Sequence, residues 1–360
     1  MPQPSSNPYF FCSFTFFDQP SALSPFPAAT VFLPRWQIVR RQDRCNAIAN
    51  LVISSHLNIE NVATELWQGL QTIRSARHGL LSDSIRQPFQ QWKTTEIHNF
   101  KASVVSALQS IYANQLSKVV LAHEVDVLSP VAFRWLHSLH NLRQRHPDCY
   151  IFSTSNGKGQ SFIGASPERL ISIRDRTLIT DALAGSAPRG KTVEEDIKLG
   201  DRLLSSDKER HEHRVVVDFM IHQLQQFGLS PRWAAIPTLR RLSNIQHLHT
   251  PIQATVLPNL HPLQILAELH PTPAVAGMSR DLACQYIRRH EPFERSLYAA
   301  PLGWVDAQGN AEFIVGIRSA LLEGHRARLY AGAGIVAGSN PDRELAEVKL
   351  KLQALLQSLV

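Results

Sequence analysis

Residues 312–338 read EFIVGIRSALLEGHRARLYAGAGIVAG. Two runs rich in β-forming residues, 312–322 and 326–331, flank the polar triplet Glu323-Gly324-His325. A short glycine-bearing turn between two such runs predicts an antiparallel hairpin. A glycine-rich segment, 332–338, comes next, and Asn340-Pro341 then supplies a helix N-cap with proline at the first helical position. The last helix is expected from there to the end of the sequence. Hairpin-joined strands interleaved with helices favour an α+β architecture over a doubly wound parallel sheet.

Working outward, the same periodicities place the other elements. Residues 1–35 hold many prolines, few charges and the aromatic group Phe10, Phe11, Phe14, Phe16 and Phe17, which suits short strands and turns. The run 9–17 reads as a strand. Residues 58–80 and 96–114 show helical spacing, the second through Ile97, Phe100, Val104 and Leu108. Strands are expected over 118–127, 150–153 and 162–173. Ser206-Asp207-Lys208-Glu209 has the form of a capping box and predicts a long helix to about Phe227, closed by Gly228.

Composition narrows the function classes. With 360 residues and 44% hydrophobic content the chain can bury a large core. Its 37 Lys+Arg against 30 Asp+Glu give a net charge of +7, which suits a small anionic substrate as well as an ordinary basic surface. The densest basic stretch, 35–44, alternates with apolar residues and matches no nucleic-acid module. Cys12, Cys45, Cys149 and Cys284 are scattered without a CxxC pair, which argues against a disulfide framework or zinc knuckle and for a reducing compartment. The nine-residue apolar run near the N-terminus is too short for a membrane-spanning helix and lacks a basic segment before it. A cytosolic or plastid-stromal protein without a membrane span is the expectation.

Three motifs mislead. Gly185-Ser-Ala-Pro188-Arg-Gly190-Lys191-Thr192 fits the phosphate-loop pattern GxxxxGK[ST] letter for letter, and the run 215–218 imitates an apolar strand ending in a magnesium-binding aspartate. A nucleotide hydrolase is therefore the alternative from a different class. However, Pro188 removes a backbone donor from the would-be cradle, and Asp218 falls inside the expected long helix. Gly332-Ala-Gly334-Ile-Val-Ala-Gly338 resembles a dinucleotide-binding turn, but only 22 residues follow it. His211-Glu212-His213 suggests a metal site, yet positions i and i+2 on a helix point to nearly opposite sides. Glu212 alone stays a candidate ligand.

From about residue 110 onward the chain resembles the chorismate-utilising enzymes, the family of anthranilate, aminodeoxychorismate, salicylate and isochorismate synthases. The matching segments are Lys118-Val-Val-Leu-Ala, Phe162-Ile-Gly-Ala-Ser-Pro-Glu168-Arg, Leu183-Ala-Gly-Ser and Asp207-Lys-Glu-Arg-His-Glu212-His. They continue as His270-Pro-Thr-Pro-Ala, Gly316-Ile-Arg318, Arg328-Leu-Tyr-Ala-Gly-Ala-Gly and Glu344-Leu-Ala-Glu347. Eight segments in one order make the likeness specific. It implies one chorismate-binding domain over 1–360, with 1–100 as a variable N-terminal part and 110–360 as the catalytic core. The fold it implies is α+β, with two face-to-face antiparallel β-sheets flanked by helices, as in anthranilate synthase component I.

The likeness also assigns roles. It implies Mg²⁺ as cofactor, held by Glu212 and Glu347 with waters left for exchange against substrate. Arg318 would grip the pyruvyl carboxylate of chorismate bidentately. Lys351, four residues after Glu347 on the same helical face, would bind substrate or pair with Glu347. Gly185, Ser186, His270, Tyr298, Gly332 and Gly334 complete the implied substrate-binding set. Lys118 would activate water for attack on C2, and Glu168 would protonate the departing C4 hydroxyl.

The likeness points to an isochorismate synthase within the family. Relatives that use ammonia carry glutamine where Lys118 stands, so no glutamine amidotransferase subunit is expected. Ala184 stands where aminodeoxychorismate synthases carry a nucleophilic lysine. Salicylate synthases share the lysine base and remain the alternative. Two departures from the family pattern, His123 for arginine and Ala300 for glycine, put turnover rate in question more than identity.

Overall fold

The structure, a computed structural model, describes residues 8–42, 44–56, 58–75, 93–96 and 98–359. Along the chain the elements are β1 (Tyr9–Phe14), β2 (Ala29–Phe32), β3 (Trp36–Arg41), β4 (Arg44–Ala49), α1 (Ile59–Ser75), β5 (Lys93–Glu96), α2 (Phe100–Tyr112), β6 (Lys118–Leu128) and α3 (Trp135–Arg145). Next come β7 (Tyr150–Ser155), β8 (Gln160–Ser166), β9 (Arg169–Arg174), β10 (Thr177–Pro188), α4 (Val193–Ser205), α5 (Asp207–Gln226), β11 (Arg232–Trp233), β12 (Thr238–Arg241) and β13 (Ile245–Thr255). The chain closes with α6 (Pro262–Leu269), β14 (Gly277–Met278), α7 (Arg280–His290), β15 (Pro301–Asp306), β16 (Ala311–Val315), β17 (Ser319–Glu323), β18 (Arg326–Val336) and α8 (Pro341–Leu356).

Two large sheets, antiparallel throughout, share one hydrophobic core. The first runs β11-β13-β10-β9-β16-β15-β1-β2, with β12 also on β13. The second runs β14-β6-β18-β17-β8-β7, with β5 on β6. Helices α4, α5 and α6 lie against the first sheet, and α2, α3, α7 and α8 against the second. Alternation explains the layering: along β18 the buried Ala327, Leu329, Ala331, Ala333 and Ile335 recur at every second residue. The α+β class expected from the hairpin signature is what the chain forms.

The hairpin itself is present, with β17 and β18 in register from Ser319↔Tyr330 to Glu323↔Arg326. Its first arm corrects the sequence reading. Residues 312–322 are two strands, β16 in the first sheet and β17 in the second, separated at Gly316-Ile317-Arg318. The expected strand 162–173 divides in the same way into β8 and β9 at Pro167-Glu168. The two crossings are neighbours: β8 pairs with β17 on one side and β9 with β16 on the other. Hydrogen bonds tie them across the gap, Val315 N–H donating to Glu168 O at 3.1 Å and Ala165 N–H to Arg318 O at 3.1 Å. Arg318 takes φ = 52°, a left-handed conformation that a non-glycine residue holds only at a cost.

Other boundaries also moved. Residues 332–336 continue β18 rather than forming a loop, because Gly332 and Gly334 pair in register with Ala122 and Val120. The helix expected over 96–114 is α2 alone, with Glu96 in β5 and Ile97 outside the described residues. The helix expected over 58–80 is seen as α1, and 76–80 lie outside the described residues. Ser206 caps α5 by accepting from Glu209 N–H, but the Glu209 carboxylate does not close a capping box. It accepts instead from Ser186 N–H on β10 at 3.1 Å.

Candidate active site

One cavity opens where the sheets part, and both crossings line it through Glu168 and Arg318. Lys118, the first residue of β6 in the second sheet, has 3% of its side chain exposed and does not itself line the cavity. Its Nζ lies 2.9 Å from Glu212 Oε1 on α5, and Glu212 lines the cavity. Glu347 and Lys351 enter from α8, paired with each other at 2.6 Å. Lys351 Nζ also donates to Gly332 O at 2.8 Å, so of its two expected uses the pairing is present.

Glu168 is the most perturbed carboxyl of the set. Burial, then the nearby charge of Asp181, pushes it up to about 8 against the opposing pull of Lys118 and Lys351. Its Oε1 is buried without a hydrogen-bond partner. Its backbone is fixed by Ser166, whose hydroxyl accepts from Glu168 N–H at 3.2 Å and donates to Val315 O at 2.6 Å. A protonated carboxyl at neutral pH, rigidly held and lacking an acceptor, is set up to donate a proton.

Arg318 and Tyr298 form another side of the cavity. Tyr298 is buried against Tyr330, ring centroids 5.2 Å apart, and burial holds its hydroxyl well above the usual phenol range. Gly332 and Gly334 leave the floor bare. A Cβ on Gly332 would meet the Tyr298 hydroxyl at 3.0 Å, and one on Gly334 would meet Glu212 Oε1 at 2.6 Å. These glycines make room for protein side chains as well as for a ligand. Gly185 sits at a bulge in the β10–β13 pairing with φ = 76°, which only glycine adopts without strain. That bulge brings Ser186 into the cavity.

His270 is not brought to this cavity. It is joined to Pro271 by a cis peptide bond, donates from Nε2 to Phe16 O at 3.1 Å, and lines a separate apolar cavity. Packed edge-on against Phe16, it is a half-buried connector between α6 and the segment that follows β1.

His247, which sequence reasoning passed over, takes a central place. It lies on β13 opposite Ser186, its Nε2 accepts from Arg318 at 3.2 Å, and its Nδ1 lies 3.0 Å from Ser186 Oγ and 3.2 Å from Gly185 O. Burial first, then Arg318 and Lys351, pulls it down to about 3, so the ring is neutral and Nδ1 carries the proton. The one local signal was a pair of histidines in the apolar run of β13. Only the long-range pairing with β10 shows where they point.

Four carboxylates gather beside this cavity and an adjoining one that shares Ser186 and Glu347 with it: Glu209 and Glu212 from α5, Glu344 and Glu347 from α8. They feel one another's charge. Burial followed by Glu212 raises Glu209 to about 6, and burial opposed by Lys208 but reinforced by Glu347 raises Glu344. Glu347 itself ends below the usual range, because Lys351 beside it outweighs the upward push of burial. Oxygen donors converging from two helices suit a hard divalent cation. Among the described residues no three such groups could enclose an ion by themselves. An ion here would take two carboxylates and complete its shell with water and ligand.

The phosphate-loop look-alike dissolves in the structure. Residues 185–188 are strand, paired with β13. Behind them the N–H of Gly190 donates to Asp196 at 2.9 Å and that of Lys191 to Glu195 at 2.8 Å. The donors that would cradle phosphate are already taken by carboxylates of α4.

A carboxylate acid, a lysine and an arginine around one buried cleft between two antiparallel sheets define a class of enzyme, and the comparisons identify it. The chain belongs to the chorismate binding enzyme family, whose model matches residues 1–360. It is 41% identical over 282 residues to the salicylate biosynthesis isochorismate synthase of Pseudomonas aeruginosa, covering 78% of this chain and 57% of that one. The chain thus spans little more than half the length of that relative. The solved structure of the menaquinone-specific isochorismate synthase MenF of Escherichia coli superposes with a TM-score of 0.82 at 29% identity, covering 99% of this chain and 79% of that one. Anthranilate synthase component I of Streptococcus pneumoniae shares the fold, with a TM-score of 0.79 at 22% identity over 98% of this chain and 82% of that one. No described helix is long and apolar enough to cross a membrane.

Proposed function

We propose that this chain is an isochorismate synthase that converts chorismate to isochorismate by adding water at C2 as the C4 hydroxyl leaves. The observation that carries the reading is Glu168: a buried carboxyl, raised to about 8, facing the same cavity as Arg318 and near enough to Lys118 to feel its charge. Lys118 takes a proton from water as the oxygen bonds to C2. The ring double bonds shift, the C4–O bond breaks, and the Glu168 proton leaves with the hydroxyl as a second water. Arg318, steadied by neutral His247, holds one substrate carboxylate as a planar fork. Tyr298 and the bare strand at Gly332 and Gly334 bound the ring, while Ser186 and Gly185 offer polar backbone and hydroxyl groups at the bulge.

Glu212 and Glu347 are the residues that would hold Mg²⁺, which when bound supplies positive charge for the substrate's other carboxylate. Because water is the nucleophile, the reading needs no amidotransferase subunit. Ala184 lines the cavity and offers no amine for a covalent route. The test is incubation with chorismate and MgCl₂ followed by NMR of the products. Isochorismate supports the reading; salicylate with pyruvate replaces it by the salicylate synthase alternative; unchanged chorismate rejects both.

A further inference from the structure

The lysines set among the carboxylates carry a further inference, which rests on the metal reading above. Lys351 in the cavity lining and Lys118 buried behind Glu212 are paired to the two inner carboxylates, at 2.6 Å on Glu347 and 2.9 Å on Glu212. A third, Lys208, is half-exposed in the adjoining cavity and pairs with the outer carboxylates, 3.5 Å from Glu344 and 3.9 Å from Glu209. An ammonium and a divalent ion compete for the same oxygens. An ion needs its oxygens at about 2.0–2.1 Å and repels a positive charge left beside them.

We propose that Lys118 and Lys351 are resident counter-ions of the metal ligands and that a divalent cation displaces both. Binding of the ion would assemble the site in one event: Glu212 and Glu347 would hold the ion, and each freed lysine side chain would turn into the cavity toward substrate and water. Without the ion, Lys118 stays masked on Glu212. The surroundings are built for such an exchange. Lys351 keeps an acceptor when Glu347 is taken, because it already donates to Gly332 O at 2.8 Å. Gly334 leaves bare strand beneath the Lys118–Glu212 pair, where a Cβ would sit 2.6 Å from the carboxylate and 3.3 Å from Lys118 Cε. Lys208 touches only the outer pair and has no need to move.

The experiment is calorimetric titration of the full chain with MgCl₂ in the absence of chorismate, with ¹⁵N-lysine NMR alongside. Removing a competing ammonium should tighten Mg²⁺ binding about five- to tenfold in both Lys118→Met and Lys351→Met. In the wild type, the Nζ resonance lost in Lys118→Met should shift as Mg²⁺ is added. Unchanged or weaker Mg²⁺ affinity in both variants, with melting curves showing them folded, overturns the inference and leaves the proposed reaction standing. Absence of Mg²⁺ binding by the wild type, with turnover surviving a chelator, removes the metal reading and this inference together.

Discussion

Glu168 carries the clearest single-residue consequences. Its carboxyl is raised above the ordinary value, so the folded state holds a proton that the unfolded chain releases near pH 4.5. The stability it contributes is fully present below that pH and is lost as pH rises through about 8. Glu168→Gln should flatten this decline in pH-dependent urea denaturation, while lowering kcat by about 10²–10⁴ through loss of the proton donor. In the wild type, kcat should fall as pH passes about 8. A variant whose turnover and stability profile both match wild type would remove Glu168 from the acid role. Lys118→Ala should lose turnover by a similar factor, checked by steady-state kinetics, with circular dichroism unchanged. These two residues were legible in the sequence because short family segments surround them. His247 was not, since its neighbours Ser186 and Arg318 lie 61 and 71 positions away. Nor could sequence distance reveal that His270 faces a different cavity.

At the scale of elements, the strands were easier to read than their ends. Apolar runs at 162–173 and 312–322 look continuous because both sheets bury their inner faces, and hydrophobicity does not change when a chain passes from one sheet to the next. The breaks sit at Pro167-Glu168 and at Arg318 in its left-handed conformation, polar positions that a strand's own alternation also produces. Gly332 and Gly334 misled in the opposite direction, placed beyond a strand read as ending at Ala331 while lying in the register of β18. Their strand context makes a prediction. Gly334→Ala places a methyl group 2.6 Å from Glu212 Oε1 and should weaken Mg²⁺ binding by at least about tenfold, read by calorimetry. The strand itself tolerates alanine, so the melting temperature should change little. The loop after β10 makes a second one. With its donors held by Asp196 and Glu195, calorimetry with Mg·ATP should show no micromolar binding; such binding, abolished by Lys191→Ala, would restore the nucleotide hydrolase reading.

Over the whole molecule, α5 is docked on β10 and β13 of the first sheet and α8 on β18 of the second. An ion shared by Glu212 and Glu347 would therefore link the two layers. Mg²⁺ at a hundred times its dissociation constant should stabilise the fold by about 2.7 kcal/mol, seen as a rise in melting temperature. Glu347→Gln should abolish that rise while the metal-free melt stays near wild type. The paired crossings have a consequence of their own. Glu168 and Arg318 each ride on a segment rooted in both sheets, and the two segments are bonded to each other from Val315 to Glu168 and from Ala165 to Arg318. The spacing between proton donor and anion grip is thus a mechanical readout of the dihedral between the layers, as the gap of a caliper reads the position of its arms. A packing change at a distant sheet edge that splays the arms will register as a catalytic defect before it registers as unfolding.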